Sequence, residues 1–318
     1  MSSLFLNKGF HRSQINSLED YSTSIIPWNV ERMKFTKKLF SSISSALCMH
    51  NVQLGITAHT LTMNAQGDVP TGAIAIAMSI NNDKIFQQNS ILDNSNFTVI
   101  ESGGEVDAHF PGPVKIISIF FKEKFLKNRY EKKFDEPYPI NSKAVVRVCD
   151  QKVLCAIKHE LVKIITSIDT DNTILDHTAL YSFEDVVVDN ITDLLYISKP
   201  ENKNNKKFNV AHGLYKQISL RYNNDINIAI LCKELGISER NAYLTFKNHY
   251  NLTPNNFLRY LRLHKVKKEL LESHYTTTTI SSIAIKNGFY HISYFASVYK
   301  SHFGELPSIT LRKSFIDQ

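Results

Sequence analysis

Two stretches near the C-terminus are versions of one unit: SERNAYLTFKNHYNLTP (residues 238–254) and HISYFASVYKSHFGELP (291–307). Just upstream of each, Cys232 corresponds to Ala284, Gly236 to Gly288 and Ile237 to Phe289, all at an offset of 52. After one inserted residue the offset becomes 53, which pairs Ala242 with Phe295, Phe246 with Tyr299, Lys247 with Lys300, His249 with His302, Tyr250 with Phe303 and Pro254 with Pro307. Such a repeat is one supersecondary unit made twice, and its local signals are helical. Gly236 stops INIAILCKELG (226–236), and Ser238 is a good N-cap for the helix that follows. Pro254 opens PNNFLRYLRLHKVKKELLES (254–273), about 30 Å of helix. HGLYKQISLRYNN (212–224) precedes the first copy, and ISSIAIKNG (280–288) with HISYFASVYKSHFG (291–304) makes the second.

A helix, a tight turn and a second helix at a steep angle form a helix-turn-helix. The crossing needs a small residue, supplied by Cys232 and Ala284, and Gly236 and Gly288 supply the turns. Helical spacing puts Ala242, Phe246 and Tyr250 on one face, with Phe295, Tyr299 and Phe303 as their counterparts, and these are expected in the core. The residues left to face DNA bases are Glu239, Arg240, Tyr243 and Leu244 in the first copy and His291, Ser293, Tyr294 and Ser297 in the second. Ser238, Lys247, Arg259, Arg262 and Lys300 are expected at phosphates, with Lys265, Lys267 and Lys268 adding to the basic side of the linking helix. Ser293, Tyr294 and Ser297 are small or neutral, so the second reader is expected mainly to hold the backbone. Major grooves on one face of B-DNA recur every ~34 Å, so two readers on a helix of that length fit double-stranded DNA.

The charge agrees with this placement. The 318-residue chain has a net charge of +7, yet residues 1–198 carry 19 Lys/Arg against 22 Asp/Glu while residues 209–318 carry 14 against seven. Between them, SKPENKNNKKFN (198–209) has no hydrophobic period and reads as a linker. The expected division is a sensory or dimerisation domain (1–198), a linker (199–208) and a DNA-binding domain (209–318) with two helix-turn-helix units.

The first part changes character along its length. Short runs such as GAIAIAMSI (72–80), FTVIESG (97–103) and VKIISIFF (114–121) are separated by turn signals at Gly67-Asp68, Asn81-Asn82, Gly103-Gly104 and PGP (111–113). They argue for a β-sandwich or small barrel. Two amphipathic helices follow, at 151–168 and 177–195, suited either to packing on that barrel or to a homodimer seam. The fold class is therefore mixed, β-rich with a helical pair first and all-α last. No apolar run reaches the ~18 residues of a membrane span, and the start lacks signal-peptide features. Cys48, Cys149, Cys155 and Cys232 lie at no zinc-like spacing, which suits reduced thiols in a cytoplasmic protein.

LGISERNAYLTF, LTPNNFLRYLRLHKVKKEL and GFYHISYFASVYKSHFGELPSITLR together resemble the AraC/XylS family of transcription regulators, with the last segment most similar to ethanolamine-operon regulators and their relatives. The resemblance covers residues 209–318. It implies an N-terminal effector-binding or dimerisation domain, often cupin-like, with ESGGEVDAHF (101–110) at a Gly-Gly turn between strands. It also implies activation of transcription, RNA polymerase as a partner and a small-molecule effector, with ethanolamine and adenosylcobalamin as the signals of the nearest relatives. No cofactor, catalytic residue or metal ligand is expected. The rival readings are a metal-binding cupin-type enzyme, for which Glu101, Glu105, Asp107 and His109 would be the cluster, and a DNA-repair protein with an appended AraC-like domain. The second needs a reactive cysteine in a metal-binding cluster, which these four cysteines do not supply. P-loop, GxGxxG and nucleophile motifs are absent from the sequence. Because both readers lie in one chain, the fragment 205–318 is expected to fold and to bind DNA as a monomer.

Overall fold

Alternation of apolar residues builds the N-terminal part from two sheets. The computed structural model describes residues 4–16, 30–36, 40–81, 83–87, 90–171, 175–201, 206–222, 226–273 and 279–313. Asn82 of an expected turn, residues 202–205 of the expected linker and Asn223-Asn224 at the end of the first expected C-terminal helix lie outside them. The chain divides into one unit of Met1–Arg32 with Phe40–Asn204 and a second of Met33–Leu39 with Asn205–Gln318.

The strands, all in the first unit except the last two residues of β2, are β1 (Gly9–Ile15), β2 (Val30–Lys34), β3 (Ser42–Cys48), β4 (Val52–His59), β5 (Met63–Asp68), β6 (Ala73–Ser79), β7 (Ile85–Gln87), β8 (Ser90–Leu92), β9 (Asn96–Ile100), β10 (Glu105–Phe110), β11 (Val114–Lys122), β12 (Ala144–Val148) and β13 (Lys199–Pro200). The larger sheet runs β1-β3-β4-β11-β6-β9-β12-β13, and the smaller runs β2-β5-β10-β7-β8. Residues two apart share a face. On β11, Val114, Ile116 and Phe120 enter the core shared with the small sheet, and Ile117, Ile119 and Phe121 enter a second core on the opposite face. Helices cover that second face: α1 (Glu123–Phe134), α2 (Gln151–Asp171) and α3 (His177–Ile197). Their apolar sides, including Leu126, Leu154, Leu161, Leu180, Val187 and Ile191, are buried in it, so the paired helices pack on their own sheet.

The core between the sheets is not filled. Ala65, Ala75, Ala77 and Ala108 face inward where larger residues would close the space, leaving a cavity of about 90 Å³. Thr57, His59, Gln87, Ser118 and Arg32 add polar groups to its wall. Burial, with the Arg32 charge nearby, pushes His59 down to about 3.

Arg147 on β12 fastens the end of α3. Its Nε donates to Ser198 Oγ at 2.8 Å, and its Nη2 donates to the carbonyls of Leu195 (3.1 Å) and Ser198 (2.5 Å). A cation there meets the carbonyl groups that a helix C-terminus leaves without partners. The expected linker is partly regular: Lys199–Pro200 pairs with β12, and Lys206 already begins a helix.

The second unit holds α4 (Lys206–Arg221), α5 (Ile228–Glu234), α6 (Glu239–Tyr250), α7 (Pro254–Glu272), α8 (Ile280–Lys286), α9 (Ile292–Phe303) and α10 (Pro307–Lys313). It also takes a segment from far upstream. Phe35 is 1% exposed, with its ring centroid 5.1 Å from Phe257 and 6.1 Å from Tyr260. His264 Nε2 donates to the Lys34 carbonyl at 3.0 Å. Residues read from sequence as part of the first domain are thus built into the core of the second unit.

Candidate nucleic-acid interface

The two copies share their backbone bonding as well as their sequence. Gly236 (φ +66°) and Gly288 (φ +81°) both adopt the left-handed conformation that only glycine takes without strain. Directly after each, the Ile237 N–H donates to Cys232 O at 3.0 Å and the Phe289 N–H donates to Ala284 O at 2.9 Å. The recognition helices α6 and α9 end alike, with Asn251 (φ 54°) and Gly304 (φ 83°) donating to the carbonyls of Lys247 and Lys300. They begin differently. Ser238 Oγ accepts the Asn241 N–H at 3.3 Å, whereas His291 makes no side-chain cap. Thr253 caps α7 with Pro254 in its first turn, and Thr279 caps α8.

Each recognition helix is held by its inner face. Ala242, Phe246 and Tyr250 are buried, with Phe246 5.6 Å from Phe257 and Tyr250 5.1 Å from Tyr215 between ring centroids. Phe295 and Tyr299 are fully buried, and the Tyr299 hydroxyl donates to Thr310 Oγ1 on α10 at 2.9 Å. Phe303, expected to be equally buried, is only half-buried and receives the edge of His264. In its place His302 is buried, stacked on Tyr260.

The outer face of α6 exposes Glu239, Arg240, Leu244 and Lys247, with Tyr243 half-buried among them. On α9 and its cap, His291, Ser293, Tyr294, Ser297 and Lys300 are all exposed. Ser238 is exposed as well, its hydroxyl engaged in the cap. Arg259 and Arg262 are half-buried and occupied within the protein. Arg259 Nη2 donates to Asn256 Oδ1 at 2.9 Å, and its guanidinium lies over the Tyr260 ring. Arg262 Nε donates to the Tyr222 carbonyl at 3.2 Å, and its guanidinium lies against the backbone of Gly288. The basic side of α7 is likewise partly spent inside the fold. Lys265 pairs with Glu269, and Lys267 lies over the Phe303 ring, leaving Lys268 exposed.

A groove of about 750 Å³ adjoins this surface, lined by Ile230, Asn255, Arg259, Arg262, Tyr290 and Tyr294 among others. Ile230 and Tyr290, more than half exposed there, were not among the residues singled out from sequence. Their signal was faint, since neither occupies a position where the two copies match.

The residues considered for a metal-binding enzyme do not converge. Glu101 accepts from the Tyr138 hydroxyl at 2.9 Å and pairs with Lys127 at 3.0 Å. His109 is buried and bonded through Nδ1 to Asn64, while Gln66 Nε2 donates to Asp107 Oδ1. Among the described residues no group of three or more His, Cys, Asp or Glu side chains could hold a metal ion. The four cysteines are free and dispersed. No described helix is long and apolar enough to cross a membrane.

Two helix-turn-helix units with exposed outer faces, joined by one helix, are the arrangement of a double reader of DNA. Residues 231–313 match the family model described as a helix-turn-helix domain. Similar curated proteins include the XylDLEGF operon transcriptional activator of Pseudomonas putida, 36% identical over 89 residues, which are 28% of each chain. A probable thc operon regulatory protein of Rhodococcus erythropolis is 33% identical over 87 residues, 27% of this chain and 26% of that protein. Among solved structures, a probable AraC family transcriptional regulator from Rhodopseudomonas palustris is 30% identical, covering 33% of this chain and 97% of that one at a TM-score of 0.31. Over this C-terminal region the chain is similar to these transcription regulators and matches a helix-turn-helix domain. The chain spans about a quarter of the length of the curated relatives it matches.

Proposed function

We propose that this protein is a sequence-specific transcription regulator in which α6 and α9 enter two successive major grooves of double-stranded DNA. The observation that carries this is the duplicated turn geometry, which leaves two recognition helices with buried aromatic backs and exposed polar fronts. Glu239, Arg240, Tyr243 and Leu244 face bases in the first groove, and His291, Ser293, Tyr294 and Ser297 face the second. Ser238, Lys247 and Lys300 hold phosphates. Arg259 and Arg262 reach the backbone only by giving up internal partners, so their first role is to brace α7. The linking helix has 19 residues, roughly 28 Å, close to the groove repeat.

The cavity between the sheets of the first unit supports a small effector. Its size suits a molecule of ethanolamine's dimensions and not one as large as adenosylcobalamin. Activation of transcription is suggested by the name of the activators among its relatives, and RNA polymerase is the partner that such activation would engage. The exposed Val186 and Ile197, on one side of α3, offer a surface for a homodimer. The direct test is selection of duplexes by the full-length protein from a randomised pool. Two half-sites about one helical turn apart are expected, and enrichment of no sequence would overturn the reading.

A further inference from the structure

Asn255, in the first turn of α7, places its amide nitrogen 2.6 Å from the hydroxyl of Tyr243 on α6. Both ends of this bond are anchored. Asn255 follows the buried Pro254 and precedes Asn256, whose N–H is held by Thr253 Oγ1 at 3.3 Å. Tyr243 is on a helix whose register is fixed by the contact of Phe246 with Phe257. Its neighbours on the outward face are Arg240, three residues before, and Lys247, four after.

We propose that Asn255 is a positioning residue for base reading: by donating to the Tyr243 oxygen it turns the phenolic proton outward, so that Tyr243 meets DNA as a donor and selects a base edge that accepts. The proposal rests on the DNA-reading function above. A phenolic O–H lies near the plane of its ring, and the oxygen accepts most readily in that plane on the side away from the proton. An amide N–H arriving from α7 therefore leaves the proton pointing away from α7. Burial, with the Glu239 carboxylate nearby, holds the Tyr243 hydroxyl above its ordinary range, so the proton is present at neutral pH. In free protein the bond faces water. Under bound DNA water is excluded and the fixed polarity of the pair gains weight. Guanine N7 and O6, adenine N7 and thymine O4 accept in the major groove, whereas cytosine N4 and adenine N6 donate.

The test is selection from a randomised duplex pool by the full-length chain and by Tyr243→Phe, Asn255→Ala and Asn255→Asp, with thermal unfolding to show that each is folded. One position of the first half-site should disfavour cytosine, the base with no major-groove acceptor, by about 5- to 100-fold. Tyr243→Phe should erase that preference at that position alone, and Asn255→Ala should weaken it at the same position. Asn255→Asp is the sharper probe. Its carboxylate only accepts, so it captures the phenolic proton and should move the preference toward cytosine or adenine. Preference is read position by position because the added negative charge lowers affinity for every duplex. Wild-type preference in both Asn255 variants, or equal weakening at all positions, would overturn the proposal. Failure of the wild type to enrich any sequence would instead overturn the DNA-reading function itself.

Discussion

The Nε2 atoms of His264 and His302 lie 3.3 Å apart in the core of the second unit. His264 directs its Nε2 proton at the Lys34 carbonyl and so has no lone pair there for His302, whose Nε2 can only share that one proton as a second acceptor, and His302 Nδ1 is buried with no partner of its own. Burial first, then the positive neighbours His264, Lys34, Lys267 and Arg259, push His302 down to about 2.

The consequence is acid sensitivity with a definite sign. An unfolded histidine titrates near 6.5, so between about 6.5 and 2 the unfolded chain binds a proton that the folded chain refuses. The stability contribution is complete above pH 6.5 and is lost as pH falls, by up to about 1.4 kcal/mol per pH unit. His59 in the first unit acts in the same direction. Urea unfolding at pH 5, 6, 7 and 8 should show stability rising with pH, and His302→Phe should flatten the acid side by about one proton. An unchanged slope in that variant would show that His302 is not the group responsible.

The two turn glycines should tolerate alanine unequally. Both have positive φ, which costs a non-glycine residue about 1–2 kcal/mol. A Cβ at Gly236 meets open space, whereas one at Gly288 would come within 2.7 Å of Arg262 Nη1 and 3.0 Å of its Cζ. Gly288→Ala should therefore destabilise more than Gly236→Ala, and combining it with Arg262→Ala should return part of the difference. Equal melting points for the two glycine variants would contradict the placement of Arg262.

DNA affinity should fall linearly on a plot of log K against log salt, because neutralised phosphates release counterions. Lys247→Ala and Lys300→Ala should each reduce the slope by about one and weaken all duplexes alike. Arg240→Ala should cost about 1–3 kcal/mol at one base pair. If the arginine variant weakens all sequences equally and a lysine variant changes preference, the outward faces of α6 and α9 are assigned in the wrong phase.

Phe35→Ala should destabilise the DNA-binding unit by roughly 3–5 kcal/mol, as truncation of a buried aromatic does. Fragment 205–318 lacks the same ring and should melt below the corresponding transition of the intact chain. A fragment as stable as the unit in the full protein would show that Phe35 adds nothing to that core.

How much of this was legible in the sequence depended on whether a residue's role leaves a local mark. Cys232 and Ala284 at the crossings, Gly236 and Gly288 in the turns and the buried aromatics behind them all recur at a fixed spacing, and turn geometry admits few residue types. The strands around β6 and β11 were legible because their two faces differ, and α2 and α3 because their apolar sides repeat. Helix α1 was not, since its buried residues are Leu126 and Tyr130 in an otherwise charged stretch. The occupation of Arg262 and Lys267 was also hidden, because a basic side chain reads the same on a helix whether it meets a carbonyl, a ring or water. Phe35 was the furthest from reach. One aromatic residue in an extended run carries nothing to say that its neighbours lie on a helix beginning at Pro254.

That upstream segment gives the protein an order of completion. Phe35 leaves the ribosome well before Phe257, Tyr260 and His264 are made, so the finished core of the second unit requires segments far apart in the chain. A nascent or prematurely terminated product carries the segment without its seat. A chimaera spliced at the residues after β13 would join a foreign N-terminus to a reader with an empty slot between Phe257 and Tyr260. Exchange of N-terminal domains in this protein therefore has to carry Met33–Leu39 along or refill that slot.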